Sequence, residues 1–370
     1  MRLGRFGMPK EDVPMRGHVK QQSTMLSLSS PGDMVPADHP LRRIKPLVDG
    51  ALARMTDVFD DAYAEKGRAS IPPERLLKSL VLIALHSVRS ERQFCEQLGY
   101  NLLFRWFLDM GTIEKPFDHS TFSANRERLL KLNAAHIFFE EVFGQAKQMG
   151  LTSSEHFTVD GSLIDAWASL KSFKKKDDDN DDPPPSDPHN PDVNFRGEKR
   201  SNKTHESTTD PESKLARKGN GKEAKLSFLA NVVMENRNGL IAEMNVTQAT
   251  GTAECDAALD LLNELPGDRI TAGGDKGYDR RSFVSGCRER RITPHVAQKK
   301  RYSAIDERTV RHPGWTVSQR VRKRVEEIFG WMKTIGGFRK TKYRGRERTE
   351  MAAMLIGAAY NLVRMANLAA

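Results

Sequence analysis

What most constrains the fold is a series of short apolar runs, beginning near residue 155, whose period switches repeatedly between two residues and three to four. In EHFTVDGSLIDAWAS (155–169), HFTVD is short and β-branched and ends in an acid followed by Gly161, so it reads as a strand leaving a core. LSFLANVVMENRNGLIAEMNVTQA (226–249) places two apolar runs about Asn238-Gly239, a hairpin signal. ECDAALDLLNEL (254–265) has helical spacing, DRITAGGDKGYD (268–279) reads as a strand and its exit turn, and RRSFVSGCRERR (280–291) as another helix. After the brief strand ITPHVAQ (292–298), VSQRVRKRVEEIFGWMKTIGG (317–337) sets Val321, Val325, Ile328, Phe329 and Met332 on one stripe of an amphipathic helix. Strand, hairpin, helix, strand, helix, strand, helix is the order of an α/β domain with a mixed sheet flanked by helices.

The rest of the chain divides around that series. Residues 1–35 have few apolar residues and read as a flexible arm, and 36–150 as an all-α domain. Leu76, Leu77, Leu80, Val81, Ala84, Leu85 and Val88 recur at helical spacing behind Pro72 and Pro73. Asp118 and Ser120 both offer an N-cap to a helix running on through 134–150. Arg126 and Arg128 in this region suit a helix-turn-helix-like DNA reader. Within the α/β domain, 151–370, residues 171–225 hold almost no apolar side chains, an acidic block and three consecutive prolines, and read as a disordered insertion.

Charge points to the partner. Of the net +10, residues 287–350 carry 19 Lys and Arg against 7 Asp and Glu, so this segment alone is more basic than the whole chain. Such clustering fits a polyanion, most simply nucleic acid. Cys95, Cys255 and Cys287 are far apart without metal-ligand spacing and read as free thiols in a reducing cytoplasm. The apolar C-terminus, 351–370, contains Asn361 and Arg364 and reads as a buried helix, so no membrane partner is expected.

Asp160 and Asp275 share a local context: each ends a β-like run and has glycine beside it. On neighbouring strands both carboxylates would emerge at one sheet edge, where open α/β sheets place ligands. Two close carboxylates call for a cation, and a hard divalent ion such as Mg²⁺ fits oxygen ligands and phosphate. For a third acid the basic helix offers Glu326 and Glu327. At about 100° per residue, Gln319, Arg322 and Lys333 fall on the Glu326 face, whereas Glu327 groups with Arg320, Lys323 and Trp331. A carboxylate for metal flanked by cations for phosphate suits in-line attack on a phosphodiester.

FTVDGSLIDAWAS, GGDKGYDRRSF and RVRKRVEEIFGWMKTIGGFRKTKYRGRER together resemble the three acid-bearing motifs of DDE transposases of bacterial insertion sequences, in the IS-four/IS-five superfamily. The resemblance implies an RNase H-like core in which Asp160, Asp275 and Glu326 bind two divalent ions, Mg²⁺ or Mn²⁺, and catalyse DNA cleavage and strand transfer. The family's last motif runs Tyr, two residues, Arg, three residues, Glu, six residues, Lys, which Arg322, Glu326 and Lys333 match, with Gln319 in place of the tyrosine. Arg322 and Lys333 are then expected at phosphates, and Trp331 either stacks on a base or packs in the core. The following FRKTKYRGRER (338–348) interleaves Phe338 and Tyr343 with Arg339, Lys340, Lys342 and Arg344, a pattern suited to tracking DNA. Partners implied by the resemblance are double-stranded DNA, as element ends and target, and a second copy of the chain. A metal-dependent nuclease without strand transfer, or a catalytically silent DNA-binding derivative, uses the same features.

Overall fold

The computed structural model describes residues 30–62, 70–176, 200–219, 221–251, 253–267 and 269–369. Most of the expected arm lies outside these residues, but its last part is tied down. Pro31–Met34 form a 3-10 turn, and Arg42 donates to the carbonyls of Gly32, Val35 and Pro36.

The N-terminal region is helical as expected: α1 (Leu41–Ala53), α2 (Thr56–Ala62), α3 (Pro73–Leu85), α4 (Glu91–Gln97), α5 (Leu102–Phe107), α6 (His119–Lys131) and α7 (Ala134–Gln148). Pro73 occupies the first turn of α3, where a missing N–H costs nothing, and Leu76, Leu77, Leu80, Val81 and Ala84 are buried. Asp118 caps α6 by accepting from the Ser120 and Thr121 amides. The expected continuous helix breaks at Asn133, whose left-handed backbone (φ 52°) separates α6 from α7. Asparagine tolerates that conformation better than most residues.

The remaining strands and helices are β1 (His156–Asp165), β2 (Phe173–Lys175), β3 (His205–Ser207), β4 (Lys214–Arg217), β5 (Ala224–Glu235), β6 (Ile241–Gln248), α8 (Ala253–Asn263), β7 (Thr271–Gly274), α9 (Arg281–Glu289), β8 (Thr293–Val296), α10 (Glu307–Val310), α11 (Pro313–Val321), α12 (Val325–Thr334) and α13 (Arg346–Leu368). The main sheet runs β6-β5-β1-β7-β8, with β4 paired to β5 beside β6. β5 is antiparallel to β1 and β6, while β7 and β8 are parallel to β1. An antiparallel three-strand meander followed by two parallel strands, joined by crossover helices, is an RNase H-like core.

Three sequence expectations need correction. β1 does not end at Asp160 but continues to Asp165, because β5 still pairs with it as far as Asp165 opposite Ser227. The segment 171–225 is structured wherever it is described: β2 and β3 form a small ribbon, and β4 joins the main sheet. Residues 177–199 lie outside the described set. The helix expected over 317–337 is broken by a 3-10 turn at Arg322–Arg324 between α11 and α12. The tighter turn advances about 120° per residue, so a helical wheel drawn straight through it is only approximate.

The two regions share one core. Helix α13 packs on α7, α3 and β6, and its buried Asn361 completes β6 by bonding both the amide and the carbonyl of Ile241 (2.8 and 2.9 Å). Long and apolar enough for a membrane span, α13 is mostly buried inside the protein. The three cysteines are free and buried, with burial pushing Cys95 and Cys287 up to about 12, as inert core thiols should be.

Candidate active site

Parallel pairing sets Phe157 beside Ala272 and Thr158 beside Gly273. Carried on by two residues, this register brings Asp160 level with Asp275. Adjacent strands are about 4.8 Å apart and in-register side chains share a face, so the two carboxylates are neighbours. β7 ends one residue earlier, at Gly274, and the chain leaves through a 3-10 turn, Lys276–Tyr278. Past this point, among the described residues, the edge of β1 away from β5 carries no strand until Asp165 bridges to Lys340, and the notch between is where both acids open. Asp275 caps the turn, accepting from the Gly277 amide at 2.6 Å. A Cβ on residue 277 would stand 2.8 Å from the Asp275 carboxylate, so any larger residue there would push that carboxylate aside.

A third carboxylate joins these two, and it is not the one the sequence motif supplied. Glu254, in the first turn of α8, lies across Gly161, where an added Cβ would meet its Oε1 at 3.0 Å. Burial raises the Asp160 carboxyl to about 7, and the charges of Asp275 and Glu254 push the same way, opposed by the Gly161 amide and Arg322. Burial likewise raises Glu254, with Asp275 contributing. Behind them the Tyr278 side chain is almost fully buried against Phe283, with ring centroids 5.1 Å apart. Its hydroxyl makes no hydrogen bond of normal geometry and neighbours Glu254, Asp160 and Asp275. Glu254 escaped sequence reading because an acid at a helix start is ordinary N-terminal chemistry.

The cations come from the helical side. Arg322 lies over β7, its Cβ 3.7 Å from where a Gly273 Cβ would be. Its Nε donates to Gln319 Oε1 at 2.9 Å, and Gln319 Nε2 donates to the His295 carbonyl in β8. Gln319 therefore braces the arginine from the position the family gives to tyrosine. Lys333 donates to Ser162 Oγ at 2.7 Å, two residues beyond Asp160 on the same strand face. Burial lowers its pKa, with Lys218 and Arg339 adding to the effect. Glu326 is exposed in the first turn of α12, while Glu327 turns to Arg364 of α13 (3.9 Å). Among the described residues no three His, Cys, Asp or Glu side chains stand in metal-ligand geometry, so Glu326 is not gathered with the two aspartates.

Other expected DNA contacts divide into exposed and committed groups. Arg339, Lys340 and Arg344 are exposed, and Lys340 stands 5.7 Å over the Trp167 ring. Trp331 takes the packing alternative, edge-on to Tyr360 with centroids 5.7 Å apart. Phe338 is buried, and Tyr343 donates to Glu91 at 3.0 Å, so neither aromatic presents a stacking face. Lys342 is occupied by the Val88 carbonyl at 2.8 Å. Arg126 pairs with Glu91 and Glu127 and stacks 4.7 Å over Tyr343, which corrects its expected role as a DNA reader: it joins α6 to α4 and to the C-terminal segment.

The side chains gathered here, Asp160, Asp275 and Glu254, offer oxygen donors alone, and burial with the neighbouring charges raises Asp160 to about 7, so the donor chemistry fits a hard divalent cation such as Mg²⁺ or Mn²⁺.

Comparison with known proteins places this arrangement in a family. Residues 29–128 match the family described as Transposase domain (DUF772), and residues 199–362 match the Transposase DDE domain. The second match contains Asp275 and Glu326; Asp160 precedes it. No curated protein matches the chain. Among solved structures, a piggyBac transposase synaptic complex with hairpin DNA aligns at a TM-score of 0.39 and 12% identity, covering 89% of this chain and 75% of that one. A pre-cleavage Mos1 transpososome aligns at 0.20 and 11%, covering 82% of each chain. The two family matches between them span the helical region and most of the α/β core, and they establish that the chain belongs to the DDE-type transposases.

Proposed function

We propose that this transposase binds the ends of an insertion element and cuts and rejoins DNA there by phosphoryl transfer, with Asp160 and Asp275 as the central acids and Glu326 as the third. The observation that carries the reading is the register between β1 and β7, which sets the two aspartates side by side where β7 leaves the sheet. Asp160, Asp275 and Glu326 would hold Mg²⁺ or Mn²⁺. Such ions, when bound, activate the attacking hydroxyl and stabilise the leaving oxygen. Arg322, braced by Gln319, stands over β7 to orient a phosphate, and Lys333 does so from beside Ser162. Both stand beside the strands that carry the two aspartates. Arg339, Lys340 and Arg344 continue the basic surface for duplex contact. A second copy would hold the other element end.

The test is Mg²⁺-dependent cleavage of supercoiled DNA carrying candidate element ends, comparing the native chain with Asp160→Ala, Asp275→Ala and Glu326→Ala. Each variant should bind DNA within about threefold of the native chain and cut at least 10³-fold more slowly, as expected when a group acting only in the transition state is lost. A folded Asp275→Ala that still cuts would refute the assignment. A native chain that binds but never cuts would be a DNA-binding protein derived from a transposase.

A further inference from the structure

The segment that reads as disordered from composition instead builds a wall beside the acids. β4 pairs antiparallel with the first half of β5, Lys214 opposite Ser227 and Arg217 opposite Ala224. Ser227 is also the partner of Asp165 at the end of β1, so β4 lies two strand spacings from β1, about 10 Å.

It is firmly placed. The Asn202 side chain donates to the Leu215 carbonyl (2.9 Å) and accepts from the Leu215 amide (2.8 Å), standing in for a missing neighbour strand. The preceding turn is fastened to the start of α13, where the Gly345 amide donates to Asp210 (3.2 Å) and the Arg346 amide to Glu212 (2.9 Å).

Between β4 and the start of α8 is a cleft of about 720 Å³ that includes Ser162 and Glu254 at one end and Lys214, Arg217 and Lys218 along its side. Its floor is apolar, made by Leu163 and Leu229, which pair across β1 and β5. Arg217 and Lys218 are exposed, and among the described residues neither forms an ion pair; Lys214 is half-buried, its ammonium donating to the Pro211 carbonyl (3.0 Å), a neutral partner that leaves its charge uncompensated. Lys218 is near enough to Lys333 to help depress its pKa, so the cations of β4 and α12 converge on one place. An apolar floor under uncompensated cations matches a nucleotide, base on the floor and phosphates on the cations. The volume is that of a small-molecule pocket, which admits one strand and no duplex.

We propose that this cleft binds the single DNA strand running on from the scissile phosphate, with Lys214, Arg217 and Lys218 taking its phosphates and Leu163 and Leu229 underlying a base. The proposal rests on the reading of Asp160 and Asp275 as the cutting site. It gives β4 the task of separating the strands at the cut and holding one of them.

The full chain is tested on a synthetic forked DNA, duplex with one unpaired arm, and on the matching blunt duplex. The native chain should prefer the fork, and Lys214→Gln/Arg217→Gln/Lys218→Gln should lose that preference while still binding the duplex. Three single-strand phosphate contacts contribute about 2 to the slope of log K against log salt. Between 50 and 200 mM salt the native chain should therefore lose about 20-fold more fork affinity than the variant. Independently of any loss of fold, a single Lys218→Cys should cross-link to a thiol-reactive group on the unpaired arm and not to one on the duplex. Equal fork preference and slope in the two proteins, or cross-linking to the duplex alone, overturns the proposal. Cleavage of the same fork by the native chain but not by Asp275→Ala tests the underlying site separately. A fork that is bound by the β4 cations yet never cut removes that site and the strand-holding role with it, and a native chain that binds no DNA overturns both.

Discussion

Replacing Glu235 by glutamine should cost a large part of this protein's stability although it changes one atom. Glu235 ends β5 and is fully buried. Its Oε1 accepts from the amides of Asn238 (2.7 Å) and Leu240 (3.1 Å), and its Oε2 from those of Ser153 (3.0 Å) and Arg237 (2.9 Å). One carboxylate thus organises the β5–β6 turn and the approach to β1. A glutamine keeps the shape but has a single acceptor oxygen. Whichever way its amide is turned, the NH₂ faces two backbone N–H groups, which lose their partner and meet another donor. At about 1–3 kcal/mol for each buried donor left unsatisfied, the cost is about 2–6 kcal/mol. The total stability of a domain is about 5–15 kcal/mol, so the effect is plain in a urea titration followed by circular dichroism. The midpoint should fall with little change in slope. A loss below about 1 kcal/mol would refute the argument, because it would mean that water or a shifted backbone satisfies both amides.

Tyr278→Phe removes a buried hydroxyl that lies beside Glu254 without a hydrogen bond of normal geometry, so the melting of the DNA-free protein should change by less than about 1 kcal/mol; a loss above about 2 would show that the hydroxyl is bonded to Glu254. Arg126→Ala should cost about 1–3 kcal/mol, because half-buried Glu91 loses its charged partner but keeps the Ser123 and Tyr343 hydroxyls, and the loss is read from the same titration. Burial, with Glu140 and Glu264 adding and Lys147 opposing, raises Glu243 from its ordinary 4.5 to about 7. Between those values the folded chain holds more protons than the unfolded one, so stability falls as pH rises through the window. Glu243→Gln should remove that part of the fall and melt higher than the native chain at pH 8, with the difference vanishing below pH 4.5; equal melting at pH 8 would refute it.

Asp160 and Asp275 were legible because each sits beside glycine at the end of a short β-like run, and parallel neighbours need only local pattern plus strand order to be paired. Glu254 was not, since its position over Gly161 follows from how α8 crosses the sheet, which no local spacing encodes. β4 was hidden for a related reason: KLAR has too few apolar side chains to be a strand alone, and it becomes one through the ladder to β5 and the clamp from Asn202. The 3-10 turn at Arg322–Arg324 carries no glycine or proline to mark it. The aromatic and basic residues of 338–348 misled because composition registers charge but not commitment, and Tyr343, Phe338 and Lys342 are spent on packing and hydrogen bonds.

The placement of Glu326 shows why these distant contacts matter to chemistry. The segment that carries it is fastened at three points to three parts of the sheet. Gln319 reaches the His295 carbonyl of β8, Lys333 reaches Ser162 of β1, and Arg324 donates to the carbonyls of Arg237 and Asn238 (3.1 Å each) in the β5–β6 turn. That turn is the one Glu235 organises, so a buried carboxylate far from the acids helps decide where Glu326, the proposed third acid, stands. Glu326 itself is exposed and outside any ligand cluster, while the frame around it is fixed on both sides. The remaining freedom is therefore in the side chain and the first turn of α12, and the proposed role of Glu326 requires that freedom to bring it to the two aspartates.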